Sequence, residues 1–362
     1  MNTYDIAVVH GDGIGPEVCS SAVRVLSALP VVGGLLRFSE YPGGAVEYQR
    51  SGSALPDRTL EACRASHAVL HGATGIPGIT YPDGTEVGIE FGLKLRFTLD
   101  LYANIRPIRL REGVRSPLAR QAPGSIDYVI VRENTEGLYA ARGAGVVLRD
   151  ETAVDSLVIT RKGTERVCRV AFELARSRNG APADGRKRVT CCDKANVLRS
   201  YAFFRRVFDD VARDYPDIEV DYAYADAITC HLVERPGHFD VIVTENMFGD
   251  IISDLAAASV GSMGMSPSAE VGTERGFFQA AHGSAPTIAG QNVANPYGTI
   301  LSAAAMLEWL GKRHADERLT AGAQAVEASV GRALRHPSGL TRDLGGQAST
   351  TDITQRVVDG LR

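Results

Sequence analysis

The chain of 362 residues, 44% apolar and 23% charged, has the composition of a soluble globular protein and is long enough for two hydrophobic cores. Its 39 Lys and Arg against 43 Asp and Glu give a net charge of −4, without the basic excess that drives binding to nucleic acid. No basic residue precedes Arg24, no apolar run reaches membrane-span length, and six scattered cysteines lack a C-x-x-C pair, so a cytoplasmic protein with buried thiols is expected.

Ile6 to Val9 predicts a short strand, and His10-Gly11-Asp12-Gly13-Ile14-Gly15-Pro16 predicts a tight turn into a helix whose apolar positions are Val18, Ala22, Val23, Val25 and Leu26. The spacing G-x-G-x-G is not the G-x-G-x-x-G of a dinucleotide fingerprint, so a turn requiring positive φ is preferred over a phosphate loop. Further on, Asp127 to Val131, Val189 to Cys192, Val220 to Ala225 and Asp240 to Thr244 are strand-like runs that end abruptly in polar residues. Each is followed by an amphipathic helix, as at Thr160 to Arg176 and Val197 to Arg213. This alternation predicts an α/β sheet of strong parallel character, with Arg132, Lys194, Asp226 and Asn246 at the carboxyl ends of strands, where such sheets bind ligands. Between two of these units, Gly137 to Asp155 reads as a hairpin with its glycine turn at Arg142-Gly143-Ala144-Gly145.

Asp250 and Asp254 fall at i and i+4 in the first turns of an Ala-rich helix, where like charges repel. Compensation of the helix dipole and a shared Mg²⁺ or Mn²⁺ account for the pair equally well. Arg96, Arg106 and Arg132 stand beside element ends, where a guanidinium fork can engage a carboxylate, although any one of them alone reads as a surface ion pair. Lys194 at a strand end is a candidate proton-transfer group, Tyr139 is ambiguous by itself, and Glu133 and Glu136 read as surface charges. The loop His282-Gly283-Ser284-Ala285-Pro286, running on to Asn295-Pro296, suits either a plain connection or the presentation of backbone groups to an adenine and ribose.

Taken in order, the motifs at 11–17, 101–107, 131–139, 193–196, 246–250, 282–286 and 343–346 resemble those of the β-decarboxylating dehydrogenases, the family of isocitrate, homoisocitrate, 3-isopropylmalate and tartrate dehydrogenases. The resemblance implies a two-domain α/β fold with a central mixed sheet flanked by helices. Residues 1–101 plus 261–362 would form a cofactor-side domain, 102–260 a domain for dimerisation, metal and substrate, and 137–155 a dimer arm. It implies a homodimer with shared active sites, Lys194 and Asp226 reaching into the partner's. The implied reaction is metal-dependent oxidative decarboxylation of a 3-substituted (2R)-malate to a 2-oxo acid and CO₂, with hydride transfer to NAD(P). Asp250, Asp254 and the other subunit's Asp226 would hold Mg²⁺ or Mn²⁺, and Arg96, Arg106 and Arg132 would clamp the malate carboxylates. Lys194 would act as base and Tyr139 as acid, with the adenosine end of the cofactor on His282, Gly283, Ser284, Ala285, Pro286 and Asn295.

Thr287 and Ile288 match neither the usual NAD nor the usual NADP pattern of the family, and the lack of Lys or Arg between Arg275 and Lys312 favours NAD while leaving NADP open. Before Arg96, where family members contact the C3 substituent, Gly92 opens space and Lys94 adds charge. A polar or anionic substituent is therefore expected, as in isocitrate, homoisocitrate or an unusual 3-substituted malate of a specialised pathway, with 3-isopropylmalate and tartrate as alternatives. A non-catalytic regulatory subunit is the alternative of another class, disfavoured because Tyr139, Lys194, Asp226, Asp250 and Asp254 are all retained.

Overall fold

β1 (Tyr4–Gly11) buries Tyr4, Ile6, Ala7, Val8 and Val9, as expected of an apolar run covered on both faces. In this computed structural model, which describes residues 3–30, 32–82, 84–141 and 143–361, the strand passes through the glycine turn into α1 (Gly15–Ser27). Pro16 sits in its first turn, where a missing N–H leaves no bond unmade, and Val18, Cys19, Ala22, Val25 and Leu26 form its buried stripe. There follow β2 (Leu36–Glu40), α2 (Ala45–Ser51), α3 (Asp57–Ala65), β3 (Ala68–Ala73) and α4 (Val87–Thr98).

The middle of the chain supplies β4 (Ala103–Arg109), β5 (Asp127–Glu133), β6 (Val146–Leu148), β7 (Thr152–Val154), α5 (Arg161–Ser177), β8 (Arg188–Asp193), α6 (Arg199–Ala212), β9 (Glu219–Tyr224), α7 (Ala225–Glu234), β10 (Val241–Thr244) and α8 (Asn246–Ser259). The chain then completes the fold with β11 (Pro267–Val271), β12 (Gly276–Ala280), α9 (Tyr297–His314), α10 (Glu317–Arg335) and α11 (Thr350–Asp359).

Two compact units result: Met1–Leu101 with Arg111–Arg115 and Gly261–Arg362, and Tyr102–Leu110 with Ser116–Val260. In the first, the strands lie in the order β2-β1-β3-β12-β11, all pairs parallel except β12 with β11. In the second the order is β4-β5-β10-β8-β9, with β4 antiparallel to β5 and the remaining pairs parallel. The fold is α/β, with mixed strand directions and flanking helices. Parallel pairing puts the carboxyl ends of β5, β8 and β10 side by side, so Arg132, Lys194 and Asn246 leave the sheet at one edge.

The hairpin at 137–155 exists but turns elsewhere than expected. Arg149 and Asp150, with φ of 55° and 53°, make the turn between β6 and β7, and Gly143 to Gly145 precede β6; Arg142 lies outside the described residues. Five cysteines are buried, but Cys230 on α7 is exposed. Among the described residues no helix is long and apolar enough to cross a membrane.

Candidate active site

In the second unit, antiparallel register sets Asn104 of β4 opposite Arg132 of β5, and the two-residue period of a strand returns Arg106 to the face of Asn104. Arg132, buried to 1% exposure, donates from Nε and Nη2 to Asn246 Oδ1 at 3.0 and 2.7 Å and pairs through Nη1 with Asp250. Arg106 donates to Ser253 Oγ at 2.6 Å and lies 3.4 Å from Asp250 and 3.6 Å from Asp254. Tyr139, in a short 3₁₀ turn, donates its hydroxyl to Asp250 Oδ2 at 3.1 Å and packs its ring under the Arg132 guanidinium. Two details of α8 allow this. Glu245 caps the helix by accepting from the Phe248 and Met247 N–H groups, and Gly249 lets the helix lie on Arg132, since a Cβ there would come within 2.5 Å of the arginine Cγ.

The Asp250 and Asp254 carboxylates remain 39% and 61% exposed among these arginines. Burial pushes the Asp254 carboxyl up, Arg106 and Arg132 pull it down, and the charge on Asp250 adds to the rise. An oxygen-only pair of this kind suits a hard divalent cation. Among the described residues, no three or more His, Cys, Asp or Glu gather into a metal site. Asp226 instead pairs with Lys194 at 2.5 Å, and that ammonium holds its carboxyl below the usual range. Neither Lys194 nor Asp226 bonds to Asp250 or Asp254 within the chain.

In the first unit, Arg96 makes a bidentate pair with the buried Glu270, at 2.7 and 2.8 Å, and Gln279 supports the carboxylate at 3.0 Å. Lys94 is not on that side of α4. Two positions from Arg96, it lies about 200° around the helix, exposed, and lines a cavity of about 130 Å³ with Ser53, Leu55, Tyr81 and Glu90. The residues sharing the Arg96 face are Ile89, 53% exposed, and Gly92, where a Cβ would meet nothing within 4 Å. Lys94 and Arg96 thus stand on different faces of α4.

Also in this unit, burial lowers the pKa of His282, and its Nε2 is buried without a hydrogen-bond partner, an open position for a polar ligand group. Ala285 takes a φ of 37° ahead of the turn Pro286–Ile288. Asn295 uses both ends of its amide inside the unit, donating to Asp343 at 2.9 Å and accepting from Tyr297 N at 2.9 Å.

Comparison with known proteins decides what this arrangement belongs to. Residues 5–357 match the family model described as isocitrate/isopropylmalate dehydrogenase. The chain belongs to the isocitrate/isopropylmalate dehydrogenase family. It is 41% identical to the 3-isopropylmalate/3-methylmalate dehydrogenase of Methanocaldococcus jannaschii, over 99% of each chain. Among solved structures it is similar to isocitrate dehydrogenase from Methylococcus capsulatus, with a TM-score of 0.86 and 35% identity over 99% of this chain and 100% of that one. It is also similar to a β-decarboxylating dehydrogenase from Thermococcus kodakarensis, with a TM-score of 0.80 and 41% identity over 99% and 96% of the two chains. Isocitrate/isopropylmalate dehydrogenase family members with different named substrates thus share this fold, so the fold alone does not choose the malate.

Sequence reasoning missed Glu133, Glu136 and Glu270 as organising groups in this family member. Glu133 is no surface charge: at 2% exposure it accepts from Thr135 N, Thr135 Oγ1 and Glu136 N at 2.6 to 2.8 Å, shaping the loop that leads to Tyr139. Glu136 accepts from Thr160 N at 2.8 Å at the start of α5. Burial raises the Glu133 pKa from 4.5 to about 7, against the pull of those hydrogen bonds. A raised acid contributes stability in full below its unfolded pKa and loses it as pH rises through the folded one. Glu133→Gln should therefore flatten the fall in unfolding free energy between about pH 5 and 7, a difference of a few kcal/mol. Superimposable pH profiles for the two proteins would contradict this.

Proposed function

We propose that this chain oxidatively decarboxylates a 3-alkyl-substituted (2R)-malate to a 2-oxo acid and CO₂, with hydride transfer to NAD and with Mg²⁺ or Mn²⁺ required. The convergence of Arg106, Arg132 and Tyr139 on Asp250, with Asp254 one turn away, carries the reading. The residues that would hold the cation are Asp250, Asp254 and Asp226 of the partner subunit. When bound, the cation would supply Lewis acidity at the C2 oxygen and the nicotinamide would accept the hydride from C2.

The chain's own groups do the rest. Arg106 and Arg132 bind the malate carboxylates, and Arg96 joins them, its guanidinium plane held by Glu270. Lys194 takes the C2 hydroxyl proton. The C3 carboxylate then leaves as CO₂, its bonding electrons passing into a C2–C3 enolate, and Tyr139 returns a proton to C3. His282, Gly283, Ser284, Ala285 and Pro286 receive the adenosine end of the cofactor, with the buried, unpartnered Nε2 of His282 available to it. The absence of Lys or Arg from 276 to 311 supports NAD over NADP.

A homodimer is supported by the exposed apolar residues Val146, Val147, Leu148 and Val154 on the hairpin and Ile251 on α8. An isolated two-stranded hairpin is marginal in water, and a second copy of the chain would cover it.

An alkyl substituent is preferred because Ile89 and Gly92, rather than Lys94, share the face of Arg96. The test is kcat/KM for 3-isopropylmalate, 3-methylmalate, isocitrate, homoisocitrate and tartrate with each nicotinamide cofactor. An alkylmalate with NAD should lead isocitrate by about tenfold or more, as one or two methylenes in an apolar pocket allow, and Lys94→Leu should leave that ratio unchanged. A tenfold preference for isocitrate or homoisocitrate would overturn the alkyl reading.

A further inference from the structure

The Gly11 to Gly15 turn does not hold its polar groups open for an anion. Asp12, 2% exposed, fills its centre and accepts from Ala45 N, Val46 N and Gly75 N at 2.7, 2.9 and 2.8 Å. Its own N–H donates to Ala73 O at 2.7 Å. Gly75 is tied in turn to the 282–286 loop, because its carbonyl accepts from the Ser284 hydroxyl. The Ser284 carbonyl then accepts from Ile14 N at 2.8 Å, two residues beyond Asp12. Asp12, Gly75, Ser284 and Ile14 thus close a ring of hydrogen bonds through three separate segments of the first unit. Gly13, with φ of +58°, lies so close that a Cβ would run into the Ser284 carbonyl.

We infer that Asp12 is a positioning residue for the cofactor: through Gly75 and Ser284 it presets the 282–286 loop in its ligand-ready shape. A buried carboxylate facing three backbone donors has no substitute in an amide, which turns its NH₂ toward one of them. The inference rests on the proposal that this loop receives the adenosine end of NAD.

The experiment is titration of the purified full-length wild type and the Asp12→Asn, Ser284→Ala and double variants with NAD and NADP, alongside KM for the malate and thermal unfolding. Asp12→Asn should raise the NAD Kd by on the order of tenfold, with the malate KM changed less than threefold. Ser284→Ala should raise it severalfold, and the double variant should be no worse than Asp12→Asn, since the ring is broken once. A lowered Tm with unchanged Kd would mean that Asp12 is merely structural and would overturn the inference alone. Should Asp12→Asn not fold, Ser284→Ala carries the test, and a wild-type Kd in that variant would overturn it. A wild type that binds neither NAD nor NADP would instead remove the proposed cofactor, and the positioning role with it.

Discussion

Asp250→Asn is expected to lower kcat/KM by roughly 10²- to 10³-fold. Asp250 accepts from Tyr139, pairs with Arg132 and faces Arg106, so the amide removes the one charge that these three groups share. Arg132, at 1% exposure, would be left with an uncharged neighbour in place of its anion. Breaking a buried pair costs about 3–5 kcal/mol, and the lower part of that range applies because the Asp250 carboxylate is 39% exposed. The Mg²⁺ concentration for half-maximal rate should rise in parallel, since an amide oxygen lacks the charge of a carboxylate. A folded variant with wild-type kcat/KM and wild-type metal requirement would refute the assignment of Asp250.

Lys194→Met is expected to reduce kcat by about 10²- to 10⁴-fold, the usual contribution of a positioned acid or base. Tyr139→Phe should spare hydride transfer more than formation of the protonated product, because its proton is needed only after CO₂ has left. Lys194 pairs with Asp226 and not with Asp250 inside one chain, which gives a second readout. If each site draws Lys194 from one subunit and Asp250 from the other, mixing and refolding the two inactive variants regenerates one intact site per heterodimer, or about a quarter of wild-type activity. Near-native kcat in Lys194→Met would exclude it as the base, and no recovery on mixing would argue for sites made within one chain.

Much of the fold was legible because its signals are periodic. Asp127 to Val131, Val189 to Cys192 and Asp240 to Thr244 could only be strands buried on both faces, and the polar residues that end them had to leave the sheet at its carboxyl edge. What could not be read was whatever depends on a distant partner or on phase. Arg96 and Glu270 are 174 positions apart, and nothing local marks either as the other's partner. Glu133 looks like any surface carboxylate until three backbone and hydroxyl donors are folded around it. Lys94 and Arg96 are neighbours in sequence, yet the 3.6-residue turn sets them on different faces of α4. The hairpin turn was given to glycines because they are the strongest turn signal, whereas Arg149-Asp150 adopts positive φ under the constraint of its two strands.

The ratio of CO₂ released to nicotinamide reduced, measured on the purified protein with a 3-alkylmalate, with and without EDTA, bears on all of this at once. Equimolar CO₂ and NADH, both lost in EDTA and both restored by Mg²⁺ or Mn²⁺, is the expected result. NADH formed without CO₂, or turnover indifferent to EDTA, would contradict it.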